Sequence, residues 1–249
     1  MTLSEELVKF ILIKTEEANR PDFYRKPLVG FSSAFDPLYT KIKEVVGLHH
    51  LRPSDILPEV KTIISFFLPF SQKVVEANRR ELDHPAREWM DSYAHANNLI
   101  DQISHDLVDL VTSRNLKAAL VKSTHNYDQK TLKASWSHRS AAFIAGLGRF
   151  GLNRMLITPV GGAGRYGTVL ISEELTPSVR SEEELCLFWK NGSCRYCLEC
   201  CPVKALGNGP DEFDRQACHL KLQSVTPHTS TNQPQHVCGK CAVGPCAIF

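Results

Sequence analysis

Cys186-Leu-Phe-Trp-Lys-Asn-Gly-Ser-Cys194-Arg-Tyr-Cys197-Leu-Glu-Cys200-Cys201-Pro202 is the stretch on which the reading of the whole chain turns. Cys218 follows, and then Cys238-Gly-Lys-Cys241-Ala-Val-Gly-Pro-Cys246. All nine cysteines thus lie from position 186 onward. A [4Fe–4S] cluster takes four thiolates, and where two clusters share a chain the Cys before Pro serves the cluster that its neighbours do not. By that rule Cys186, Cys194, Cys197 and Cys246 hold one cluster, and Cys201, Cys218, Cys238 and Cys241 hold the second. Cys200 is left open: it is a bystander or replaces Cys197 or Cys201, with Pro202 favouring Cys201.

Other fates for these thiols fit less well. A zinc ribbon usually puts about 15–20 residues between its Cys-x2-Cys pairs, whereas Cys197 and Cys238 are 41 positions apart. Eight thiols exceed what one zinc needs. Disulfides belong to oxidising compartments, and the opening Met1-Thr-Leu-Ser-Glu-Glu-Leu-Val-Lys-Phe10 has no secretory pattern.

With 249 residues, 43% hydrophobic and 22% charged, the chain has room for one sizeable globular domain plus a small cluster-binding one. A net charge of +2 gives no general pull toward nucleic acid or acidic membranes. No run approaches the roughly 18 apolar residues of a membrane span. The expectation is a cytoplasmic protein of a cell with little oxygen, without membrane or nucleic-acid partners.

Along the chain, Ser4 caps a first helix carrying Leu7, Val8, Ile11 and Leu12 on one face. Prolines at 21, 27 and 37 keep residues 20–40 largely non-helical. The continuous apolar run Thr62–Leu68 before Pro69 predicts a buried strand. From Trp89 to Leu110 apolar residues recur at helical spacing, which predicts a long amphipathic helix. Strands over 118–121, 155–158 and 167–171, a helix over 137–145 and a helix start at Ser181-Glu-Glu-Glu184 complete an α/β (α+β) layout. A domain border falls near residue 180.

Gly146, Gly148 and Gly151 spell Gly-x-Gly-x-x-Gly, but at a helix end. The dinucleotide fingerprint needs a strand before and a helix after it, so a Rossmann site is rejected. The bland reading is a helix stop and turn. The other is a backbone surface bare enough for a large flat ligand to approach.

This segment, followed by two cysteine groups, resembles the epoxyqueuosine reductase family and its relatives, the reductive dehalogenases. The matching residues are Ala145–Gly148, Gly151, Asn153, Leu156–Pro159, Gly161 and Gly167–Val169, and the resemblance spans roughly residues 60–249. It implies a nitroreductase-like corrinoid-binding domain over 1–180 and a ferredoxin-like domain with two [4Fe–4S] clusters over 181–249. It also implies that Gly146, Leu147, Gly148, Gly151, Asn153, Thr158 and Gly161 contact the corrinoid (cobalamin). His138 and Arg139 could reach its amides or phosphate, although a His at a helix start more often caps.

There are departures. Where epoxyqueuosine reductases carry a proton-donating Asp upstream of the glycine helix, this chain reads Val121-Lys122-Ser123-Thr124-His125. A general acid must lie within hydrogen-bond reach of its target, so Lys122 or His125 is left to donate, to a different substrate. The chain is also shorter than those enzymes and shows no evident tRNA-holding extension. The expectation is a divergent oxidoreductase, not a true epoxyqueuosine reductase. It would take electrons from a ferredoxin- or flavodoxin-type donor and pass them singly to a corrinoid, for substrate reduction or corrinoid reactivation. The alternatives are an FMN-binding nitroreductase-like enzyme and a ferredoxin-type electron-transfer protein without its own substrate.

Overall fold

The architecture is taken from a computed structural model describing residues 1–249 except 124–126, 129, 210 and 226–236. In chain order the helices are α1 Leu3–Glu17, α2 Pro37–Val46, α3 Pro53–Ile56, α4 Gln72–Arg80, α5 Arg87–Thr112, α6 His138–Ile144, α7 Leu187–Asn191, α8 Tyr196–Glu199 and α9 Arg215–Ser224. The strands are β1 Leu28–Ser33, β2 Thr62–Pro69, β3 Ala118–Leu120, β4 Arg149–Phe150, β5 Leu156–Ile157 and β6 Gly164–Ile171. Four of them make a sheet in the order β1-β2-β6-β3, antiparallel throughout.

Strand β2 is buried at every position, which is why its sequence is apolar without alternation. Its side chains point to opposite faces in turn. Ile64, Phe66 and Leu68 pack with Leu7 and Ile11 of α1 and Ile100, Ile103 and Leu107 of α5. Ile63 turns the other way, onto Tyr39 of α2, Trp136, and Ala141 and Ile144 of α6. The body is therefore three layers, helix on sheet on helix. Among the described residues no helix is long and apolar enough to cross a membrane.

The strand at 62–69 and the helix at 87–112 agree with the sequence reading to within two residues. Other expectations need correction. Thr2, not Ser4, caps α1: its hydroxyl accepts from the Glu5 amide while the Glu5 carboxylate accepts from the Thr2 amide. The stretch 20–40 holds strand β1 and the start of α2, because Pro37 occupies the first turn of a helix capped by Asp36 instead of breaking one. No helix starts at Ser181. The acidic run is irregular, and Glu184 accepts a 2.8 Å bond from the amide of Cys186 ahead of α7.

Gly146 ends α6 as a helix stop. Its φ of +76° suits glycine, its amide donates to Phe143, and the Leu147 amide reaches back to Ala142. Downstream, Gly161 sits at φ +104°, and a Cβ there would fall 2.2 Å from the carbonyl of Ala247. The C-terminal segment docks at this spot, with Gly162 and Ala163 donating to Cys246 and Ala247. Val237, Ala242, Val243 and Ala247 then share an apolar cluster with Phe70 and Trp89.

Candidate metal centre

All nine cysteines are free thiols. Eight of them gather in two sets. Cys186, Cys194, Cys197 and Cys246 line one small recess beside Leu152 and Tyr196, into which Cys241 also reaches. Cys201, Cys218, Cys238 and Cys241 line a larger cavity of about 450 Å³. Among the described residues no three His, Cys, Asp or Glu side chains converge on a site for a single ion.

The electrostatics follow the same division. Burial, then Cys186 and Cys194, push the Cys197 thiol up to about 11. Burial, then Cys186, Cys197 and Cys194, push Cys246 up to about 12. In the second set burial, then Cys238 and Cys201, raise Cys218 to about 11, and Cys241 is raised by burial and then by Cys238 and Cys218. Thiolates packed this closely repel one another, so each set needs a positively charged occupant to ionise. Iron would supply that charge, and two sets of thiols are donors of the kind an iron–sulfur cluster takes.

Cys200 belongs to neither lining. Its thiol donates to the Lys240 carbonyl at 3.0 Å, and burial, then Cys197 and Cys201, hold it up at about 12.

The body grips the loop around Cys238 and Cys241 firmly. Asn78 donates to the Cys238 carbonyl (3.1 Å) and Asn153 to the Cys241 carbonyl (2.8 Å). Lys240 is buried, and its Nζ donates to the Asn78 carbonyl, the Asn78 side chain and the Glu81 carbonyl at 2.7–3.1 Å. Three such bonds use all three N–H of an ammonium, and they cap the C-terminal end of α4, where the helix favours positive charge.

The cavity beside the second set is walled by Phe70, Trp89, Tyr93 and Trp136 and carries Arg139, Arg154 and Arg165. Arg165 donates to the Asn97 side chain and the Ser123 carbonyl and lies over the Tyr93 ring. Arg139 donates to the Arg154 carbonyl at 2.9 Å. No carboxylate is among the described lining residues.

Of the positions singled out by sequence for a large ligand, His138, Arg139 and Asn153 line this cavity. His138 does so as a fixed part of the wall. Thr168 Oγ1 accepts from Trp136 Nε1 and lies 2.8 Å from His138 Nδ1, while Nε2 lies 2.9 Å from the Lys122 carbonyl. Burial drives its pKa down to about 4, so the ring is neutral. Gly146, Leu147, Gly148, Gly151, Thr158 and Gly161 lie outside the described lining. Gly146 and Gly148 back onto the carbonyls of Val179 and Ile157, and Thr158 is fully buried with its hydroxyl on the Gly161 carbonyl. Lys122 is exposed next to the cavity residue Ser123, and His125 lies outside the described residues. The sequence reading missed Arg154, Arg165 and Lys240. Only Lys240 carried a signal, a charged residue between two cysteines.

No protein-family model matches the chain. Its sequence is 26% identical to an epoxyqueuosine reductase of Lactococcus garvieae over 216 residues, 80% of this chain and 57% of that protein. The chain spans about half the length of the curated relatives it matches. Its fold superposes on the Bacillus subtilis epoxyqueuosine reductase with a TM-score of 0.60 at 21% identity, over 99% of this chain and 66% of that one. A reductive dehalogenase of B12-dependent dehalogenation gives 0.51 at 16% identity, over 73% of this chain and 24% of that one. The chain is thus similar in sequence to epoxyqueuosine reductases, and its mixed helix-and-sheet fold is like theirs and like that of reductive dehalogenases.

Proposed function

We propose that this chain is an iron–sulfur oxidoreductase. Cys186, Cys194, Cys197 and Cys246 would hold one [4Fe–4S] cluster, and Cys201, Cys218, Cys238 and Cys241 a second. In this reading residues 1–180 form a nitroreductase-like unit and 181–249 a ferredoxin-like one. The observation that carries it is the gathering of the thiols into two sets of four, one of which faces a ligand-sized cavity.

The part of the cavity away from the four thiols that would hold the second cluster is read as the place of a corrinoid, an inference supported by the B12-dependent neighbour. The fit is partial. A corrinoid exceeds about 450 Å³, and six of the nine expected contacts are packed against the chain itself or lie off the lining. When bound, a corrinoid would supply low-potential cobalt chemistry, which the protein serves by positioning and electrostatics. Arg139, Arg154 and Arg165 would meet its polar or anionic edge, and the aromatic wall would exclude water. His138, neutral and bonded at both ring nitrogens, would hold the Lys122 segment in place. Proton donation falls to Lys122 or His125 on that segment, since no carboxylate is among the described lining residues.

The test is spectroscopic. The clusters are reconstituted without oxygen, cobalamin and a strong reductant are added, and the corrinoid spectrum is followed. The reading expects binding and a change in cobalt oxidation state. A spectrum identical to that of free cobalamin under the same reductant would eliminate the corrinoid.

A further inference from the structure

The large cavity carries positive charge that its described walls do not answer. Arg139, Arg154 and Arg165 line it together with Lys221, and no carboxylate is among the described lining residues. Elsewhere the chain pairs arginines with carboxylates, Arg20 with Asp22 and Arg180 with Asp36. Among the described residues the three cavity arginines bond only neutral acceptors. Arg139 donates to the Arg154 carbonyl and the Met155 sulfur, and Arg154 to the carbonyls of Leu152 and Gly209. Arg165 donates to the Asn97 side chain and the Ser123 carbonyl. A guanidinium has five N–H groups, so each arginine has donors left over. Two carboxylates lie off the lining and are engaged with backbone, Asp101 on the Ser123 amide and Glu212 on the Asn208 amide.

Arg154 adds two details. Its Nε is buried with no hydrogen-bond partner among the described residues. Its backbone sits at φ +62°, a left-handed conformation that non-glycine residues seldom adopt. The turn is pinned by the Arg154 amide on the Gly151 carbonyl and the Met155 amide on the Asn153 side chain. Strain so imposed is found at ligand clamps. Arg165 lies with its guanidinium 4.5 Å from the centre of the Tyr93 ring. Its partner Asn97 is about 12 Å along α5 from Trp89, the ring against which Gly239 of the thiol loop packs. Negative charge on Cys238 and Cys241 therefore answers Arg139 sooner than Arg165.

Resting on the reading of this cavity as a place of reduction, and naming its substrate class, we propose that the substrate is a small organic anion, a carboxylate or phosphate on a flat apolar body. Arg165 anchors the charge, and Arg139 and Arg154 bias the whole cavity toward anions. Guanidinium forks suit carboxylate and phosphate oxygens, which they meet in two parallel bonds. Phe70, Trp89, Tyr93 and Trp136 take the apolar body.

The test is calorimetric, on the full chain reconstituted without oxygen. Phenylacetate, phenyl phosphate and the neutral phenylacetamide are titrated in parallel. The anions should bind at least about tenfold more tightly than the amide, and added salt should weaken the anions alone. Arg165→Gln should remove that preference and leave the binding of phenylacetamide as it was. Arg165→Lys keeps the charge but not the fork, should keep only part of the preference, and decides the matter if the Gln variant does not fold. Anions that bind no better than the amide, or not at all, overturn the proposal, as does a preference undiminished in the folded variants. Cobalamin that displaces phenylacetate where cobinamide, which lacks the phosphate, does not would assign the arginines to the corrinoid's own phosphate and overturn it too. Missing iron and sulfide, or a corrinoid that fails to bind, with the anion preference intact would instead bring down the reading of the cofactors alone.

Discussion

Helix α5 buries ten residues, whereas α7, α8 and α9, which frame the cysteines, bury none. The contrast separates two ways of holding a chain together. The body has a hydrophobic core in which each fully buried large side chain contributes about 1.5–3 kcal/mol. The segment after residue 186 keeps its helices with far less of that resource. It is tied down at one end by Ala242, Val243 and Ala247 in the core beside Trp89 and by hydrogen bonds to the loop around Cys238. Phe188 and Leu198 also pack against Leu152 and Ile157, and on the proposed reading the thiols' occupant supplies the rest. If the thiols hold clusters as proposed, metal binding and folding would be one process for this segment and two for the body.

The contrast can be broken in several ways. The largest effect is expected from removing iron with a chelator. Hydrogen exchange should then rise across 186–224 towards unprotected rates while α5 stays protected; equal loss in both regions would erase the distinction. Next is Phe66→Ala in β2, a fully buried side chain. It should cost about 3–5 kcal/mol in denaturant unfolding of the body and leave iron content per folded chain unchanged.

Acid comes third. His138 is held down at about 4 against a free value of 6.5. Between those values the unfolded chain binds the extra proton, so this contribution is intact above about pH 6.5 and is lost as pH falls toward 4. The loss should reach about 3 kcal/mol. Urea midpoints across that window should fall, and His138→Gln should flatten the fall. Lys240→Met should cost about 2–3 kcal/mol by stranding the oxygens of Asn78 and Glu81. It should loosen the Cys238 loop to proteolysis before the body melts. Smallest is Thr2→Ala, about 1 kcal/mol from the α1 cap, readable as a lower melting temperature with the metal content unmoved.

What could be read in the sequence follows the same line. Strand β2 and helix α5 were legible because burial writes an unbroken or periodic apolar pattern into the chain. The gathering of the cysteines was legible because their spacing is local chemistry, while which thiol serves which set stays part of the proposal. Strand β1 was not, since Pro27 and Pro37 suggested irregular chain and its pairing with β2 is a contact over some thirty residues. The glycines were ambiguous for a related reason. Gly-x-Gly-x-x-Gly states only that something comes close, and on the side where a Cβ would stand Gly146 and Gly148 meet the carbonyls of Val179 and Ile157. Arg165 joins the cavity only because β6 pairs with β2 and carries it beside Asn97 and Tyr93.

The most direct trial is an elemental one: iron and acid-labile sulfide in protein isolated and handled without oxygen. About eight of each per chain is the content of two [4Fe–4S] clusters. Zinc in their place, with no sulfide, would contradict the account at its root.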